Sequence, residues 1–307
     1  MRIALMIEGQ EDVTWADWVA LADACERSGI EALFRSDHYL SVMGEGERGA
    51  LDAWATINAL SAMTQKLRLG TMVSPASFRH PSELAKLVTT ADHVSGGRIE
   101  LGMGTGWSEV EHTAFGFPFL SMRERMDVLA EQLEIVHDGH WGDGPFSFDG
   151  EHYTVADLDA RPKPMQDPHP PLIMGGQAGP RASRLAARFA DEYNTVMPTL
   201  EQIAERRANI VAACERAGRE PIPFSVMTGV SIGADQAGVQ TQNRRLAQSR
   251  KHEPDAETWI TGTVEQAAER LRRYEQAGVE RIYLQHLLHA DLETVELIGR
   301  ELVPAVA

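Results

Sequence analysis

One pattern governs what this chain can fold into: short apolar runs alternate with amphipathic stretches from end to end. Residues 3–7 read as a buried strand, and Trp15, Trp18, Val19, Ala22 and Cys25 recur after it at helical spacing, with Thr14 placed to cap. Gly29 closes that helix and residues 30–34 form the next strand. Residues 52–65 are helical and 67–73 extended. A helix opens at His80-Pro81 with proline at its first position, Gly96-Gly97 stops it, and residues 99–103 are the fourth strand. Ser121 to Glu124 has capping-box spacing and starts a helix to about His137. Strands at 172–174, 192–196, 223–230 and 281–285 then alternate with helices at 181–189, 200–217, 263–277 and 292–302.

That makes eight strands, each followed by a helix. CERSGIEALF (25–34) and YEQAGVERIY (274–283) repeat one joint: a helix end, a glycine, a β-branched residue, then a strand. Glycine suits the joint because the left-handed C-cap costs it nothing. Eight such units in 307 residues predict an α/β fold, a (β/α)8 barrel in a single domain over 1–307. A doubly wound open sheet is the structural rival. Stretches at about 105–120, 139–171 and 232–262 exceed a minimal barrel. The last two are read as following strands, which places them on the C-terminal face, where barrels keep their active sites.

The net charge of −16 makes nucleic acid and anionic membrane poor partners, so an anionic ligand needs a local basic patch. No apolar run approaches membrane-spanning length, and the apolar N-terminal run is too short for a signal peptide. Cys25 and Cys214 lie far apart without a CxxC, which fits a reducing, cytoplasmic setting.

In a barrel the strand ends carry the chemistry. Strand two ends FRSDHYL, where Asp37 and His38 suit either an acid/base imidazole or a solvated turn. Strand three ends with Arg79, a candidate anion ligand, and His80, whose simpler role is to cap the following helix. Strand four ends GMGTGW. Its glycines are spaced G-x-G-x-G and no helix begins at the third, so the dinucleotide reading is weak. A tight turn is one alternative; another is a large flat ligand pressing on the backbone, leaving room only for glycine. Residues 107–118 are expected to form an irregular loop with one short turn. Strand five ends GGQAGPR. Gly175, Gly176 and Gly179 precede Pro180 at a helix start and Arg181 lies in its first turn, so N–H groups, the helix dipole and a guanidinium converge as a phosphate site. The 11 histidines form no HxxxH, HExxH or HxH, and no metal site is predicted.

Taken together, FRSDHY, LGTMVSPASFRHP, GGRIELGMGTGWSEVEHTAFGFPF, PLIMGGQAGPRASRLAARFADEYN and AGVERIYLQ resemble the bacterial luciferase-like (β/α)8 flavin proteins across nearly the whole chain. The pattern is most similar to the branch that uses the deazaflavin coenzyme F420. The resemblance implies an isoalloxazine-like ring across the barrel mouth, with Asp37 and His38 at its edge and a non-prolyl cis peptide at Met72–Val73 behind its face. It also implies a turn at Gly104, Thr105 and Gly106 beside the ring, and a phosphate loop at Gly175, Gly176, Gly179, Pro180 and Arg181. His38 is the candidate for the proton donor or for orienting the substrate, with Asp37 fixing the cofactor. Sugar-phosphate dehydrogenase relatives keep a catalytic glutamate after the strand-four glycines, where this chain has Trp107. Glucose 6-phosphate oxidation is therefore not expected, and Trp107 is assigned to the substrate pocket. The expected activity is hydride transfer between F420 and a small organic substrate, in a homodimer. An FMN-dependent monooxygenase of the same fold and a non-catalytic flavin-binding protein are the alternatives.

Overall fold

Strand β1 (Arg2–Ile7) shows in a computed structural model how the chain divides inside from outside. Residues 1–42, 48–250 and 253–307 are described. Side chains alternate along a strand. Ile3, Leu5 and Ile7 accordingly join the core facing the helices, and Ala4 and Met6 join a separate inner cluster with Ala32, Phe34, Met72, Ile173, Met227 and Tyr283. One row thus packs under helices and the other fills a barrel.

The barrel strands are β1, β2 (Ala32–Arg35), β3 (Arg68–Thr71), β4 (Ile99–Gly104), β5 (Leu172–Gly175), β6 (Glu192–Val196), β7 (Phe224–Gly233) and β8 (Arg281–Gln285). Each pairs in parallel with its neighbours, and β8 pairs with β1 at Ala4↔Tyr283 and Met6↔Gln285, which closes the ring. This is the (β/α)8 barrel expected. Around it lie α1 (Trp15–Ser28), α2 (Ala53–Met63), α3 (Pro81–Ser95), α4 (Glu109–Phe115), α5 (Met122–Glu134), α6 (Pro180–Phe189), α7 (Leu200–Arg216), α8 (Gln236–Arg250), α9 (Val264–Gln276) and α10 (Leu292–Leu297). The capping signals hold: Thr14, Ser121 and Thr263 each form a full capping box, and His80 caps α3 by accepting from Ser82 N at 3.2 Å.

The N-terminal half of the barrel interior is charged. Arg281 lies 2.6 Å from Glu100, both almost fully buried, and its guanidinium stacks 4.8 Å from the Tyr283 ring. Burial alone would raise the Glu100 pKa; Arg281 and Arg68 override it and hold the group below its ordinary value. This plug fills one end of the barrel and leaves the other for the site.

Three local expectations are corrected. Residues 107–118 contain α4, a helix of about two turns, rather than an irregular loop. Ser108 caps it, and Gly116 ends it in a left-handed conformation. The helix expected to stop near His137 runs from α5 into π-helical turns over Ile135–Trp141. The 139–171 segment therefore follows a helix, not a strand. Its later part crosses the N-terminal face, where Gln166 donates to Ile99 O at 2.8 Å. Its antiparallel hairpin, Phe146–Asp149 with Thr154–Leu158, runs along α5, and the hairpin tip reaches the loops after β3 and β4. The 232–262 segment does leave from a strand. It holds α8, and Ile260–Thr263 pairs with the end of β7.

Candidate active site

The C-terminal mouth is built by continuing each inward row. On β1 the row Ala4, Met6 continues to Glu8, which is 9% exposed. Gln10 donates to one Glu8 oxygen at 2.7 Å and Gln285 donates to the other.

After β2 the chain places Asp37 and His38 in different surroundings. Asp37 is buried. Arg79 holds it at 2.6 and 3.2 Å and Ser74 Oγ donates to it at 2.7 Å. Arg79 also binds Asp52 at 2.6 Å and Tyr39 OH at 3.1 Å. Arg79 is thus a clamp between loops rather than an anion ligand, and Asp37 is one of its jaws.

His38 faces Glu111 from α4, with Nδ1 2.7 Å from Oε2. The other Glu111 oxygen accepts from the Tyr39 and Leu40 backbone N–H groups. Burial lowers the His38 pKa, but the Glu111 carboxylate, followed by Glu8 and Asp37, more than offsets this and raises it above the ordinary value. Burial likewise pushes Glu111 up, and its bonds to His38, Tyr39 and Leu40 bring it below the ordinary carboxylate value. An ionised carboxylate only accepts, so Nδ1 carries a proton and Nε2 is the nitrogen left for exchange. Glu111 is the residue at this site that sequence reasoning did not single out. No local spacing marks it, because only folding α4 back over β2 joins residues 73 apart.

Trp107 stands where the carboxylate of the sugar-phosphate dehydrogenase relatives was expected. It is 62% exposed and lies edge-on to His38, ring centroids 5.6 Å apart. Glu109, the first residue of α4, is exposed.

The Met72–Val73 peptide is cis, and Val73 lies against the glycines of the next strands. A Cβ on Gly104 would come within 2.7 Å of Val73 Cγ2; one on Gly102 would meet Thr71 O at 2.1 Å. Those glycines first make room for β3 and its Val73, and the half-buried Val73 forms a smooth floor bordered by Gly104 and Gly175. A flat ring fits such a floor. Thr105 and Gly106 follow at the rim, Gly106 at φ +74°.

The loop after β5 brings Gly175, Gly176, Gly179 and Pro180 to the start of α6, which has no side-chain cap. Some of its groups are already engaged. Gly176 N donates to Asn194 O at 3.0 Å, Ala178 N to Tyr193 OH at 2.8 Å, and Arg181 pairs with Asp127 on α5.

A carboxylate-paired imidazole at the strand ends, a smooth floor and an uncapped helix start fit a barrel enzyme of the flavin-binding kind. The chain belongs to the luciferase-like monooxygenase family, whose profile matches residues 1–256. It is 29% identical over 321 aligned residues to an FMNH2-dependent dimethylsulfone monooxygenase from Pseudomonas putida, covering 93% of this chain and 86% of the relative. It is 26% identical to an F420-dependent glucose-6-phosphate dehydrogenase from Nakamurella multipartita, covering 92% and 90%. In fold it matches an F420-dependent secondary alcohol dehydrogenase solved with an F420–acetone adduct, with TM-score 0.83 and 19% identity, over 100% of this chain and 99% of the other. Among the described residues no helix is long and apolar enough to cross a membrane.

Proposed function

We propose that this chain is an F420-dependent oxidoreductase acting on a small organic substrate. The observation that carries the reading is the His38–Glu111 pair at the edge of the glycine-bordered floor. When bound, the deazaflavin supplies or accepts the hydride. The protein's part is placement and a proton. Val73, Gly104 and Gly175 seat the ring, and Met72, Thr105 and Gly106 shape its surroundings. The N–H groups from Gly179 onward face its phosphate. His38 Nε2 exchanges the proton with substrate while Glu111 holds Nδ1–H and keeps the ring in one orientation. Asp37 acts through Arg79, fixing the loop that carries His38. Trp107 walls the substrate side.

A second reading has a specific support: the Pseudomonas putida relative uses FMNH2. Fluorescence titration of the purified protein with F420 and with FMN separates them. Micromolar F420 binding with FMN ignored supports the proposal, and the reverse result favours the monooxygenase. Binding of neither removes both. A cytoplasmic homodimer is part of the proposal, and light scattering on the purified protein tests the assembly.

A further inference from the structure

A cavity of about 210 Å³ opens beside the rim, outside the ring floor. Its polar wall comes from three places. Ser77 and Thr105 lie in the loops after β3 and β4, Arg125 is on α5, and His152 and Tyr153 form the tip of the inserted hairpin. Elsewhere its wall is apolar.

The hydrogen bonds of this wall do not balance. Arg125 Nε donates to Leu120 O at 3.1 Å and Nη1 to Gly106 O, and Nη2 has no acceptor among the described residues. His152 Nε2 is shielded from solvent and has no partner. The Thr105 hydroxyl reaches only Gly106 O, at 3.3 Å. Tyr153 OH accepts from Gln132 at 2.8 Å, and its own proton has no acceptor among the described residues. Of these groups His152 Nε2 alone is both buried and unpartnered, a costly state that an acceptor would relieve. Neighbouring carboxylates do not supply it. Glu131 accepts the N–H groups of Glu151, His152 and Tyr153, Glu124 accepts from Ser121 N, and Asp127 pairs with Arg181. What remains is a guanidinium, an imidazole and two hydroxyls facing one space, in a chain of net charge −16.

We propose that this cavity is an oxyanion site for a phosphate-class group. Arg125 supplies the charge, and Thr105, His152 and Tyr153 supply directed donors. The inserted hairpin then has a role: its tip completes the site. Two sources carry this chemistry, the phosphate-bearing chain of the cofactor and a separate phosphorylated molecule. The inference goes beyond the proposed function and does not require it.

The test follows the His152 imidazole by NMR while inorganic phosphate is added, with chloride at equal ionic strength as control. His152→Gln assigns the signals. The expected result is a saturable shift with phosphate that chloride does not produce. Thr105→Val should weaken phosphate about tenfold, the loss of one charge-assisted bond. If F420 displaces phosphate and a phosphate-free deazaflavin does not, the source is the cofactor, and its phosphate lies here rather than at the start of α6. If phosphate and F420 bind together, the source is a separate phosphorylated ligand. A His152 signal that responds alike to phosphate and chloride overturns the proposal. The phosphate arm needs no cofactor, so a failure of F420 and FMN to bind would remove the proposed function and leave this result standing.

Discussion

His38 Nδ1 and Glu111 Oε2 stand 2.7 Å apart and join the end of β2 to α4. The contact sets both ionisation states. Without the carboxylate, burial is the dominant influence on the imidazole and lowers its pKa. Glu111→Gln should therefore drop His38 below its ordinary value, read as an NMR pH titration of the His38 ring. Turnover should fall roughly a hundredfold, with the pH–rate limb assigned to His38 moved toward acid. An unchanged His38 titration would refute the pairing. The same shifts fix a stability window. The raised His38 stabilises below its unfolded value and loses this as pH rises through its folded value. The lowered Glu111 stabilises above its unfolded value and loses this as pH falls through its folded value.

Trp107 is mostly exposed and lies edge-on to His38. Trp107→Ala should leave stability within about 0.5 kcal/mol of the parent by urea denaturation. Its effect should fall on KM for apolar substrates more than on kcat, since the proposed role is to wall the substrate and not to move a proton. A large loss of stability would show that Trp107 is a packing residue instead.

The barrel was legible because each unit signals itself locally: an apolar run, a cap, a periodic face and a glycine at the joint. Thr14, His80 and Ser121 were readable as caps because capping spans only a few residues. What was not legible joins distant residues. Glu111 reaches His38 across 73 positions and Arg281 reaches Glu100 across 181, and neither pairing leaves a mark in local spacing. The 139–171 segment was misplaced for a related reason. The π-helical turns at Ile135–Trp141 prolong the helix past its expected end near His137. The strand-four glycines were read as space for a ligand. The nearest need of Gly104 is space for Val73 and that of Gly102 is space for Thr71 O, neighbours that only the folded register supplies.

That last relationship separates two adjacent glycine positions. Gly104→Ala meets a side chain, Val73 Cγ2 at 2.7 Å, whereas Gly102→Ala meets backbone, Thr71 O at 2.1 Å. Each should cost roughly 1–3 kcal/mol by overpacking. Val73→Ala should relieve much of the Gly104→Ala loss in the double variant and leave the Gly102→Ala loss, measured by denaturation as a double-mutant cycle. Equal rescue at both positions would contradict the packing described.

His140 gives the clearest dependence of stability on pH. It is 4% exposed on the π-helical run, and its Nε2 has no partner among the described residues. Burial, then the Lys86 and Lys163 charges, push its pKa down to about 4. The unfolded chain takes up a proton there near pH 6.5. Between those values the unfolded state binds more protons than the native state, so stability falls as pH falls from about 6.5 to 4. The loss approaches roughly 3 kcal/mol at the acid end, at about 1.4 kcal/mol per pKa unit. His140→Phe cannot titrate and keeps a ring in the site. Urea denaturation of parent and variant at pH 7 and pH 4.5 should show a smaller acid loss in the variant, by about 2 kcal/mol. The other carboxylates and histidines titrate in both proteins and cancel in the comparison. Parallel losses would mean that the native imidazole already accepts its proton in this range and that burial does not hold it neutral.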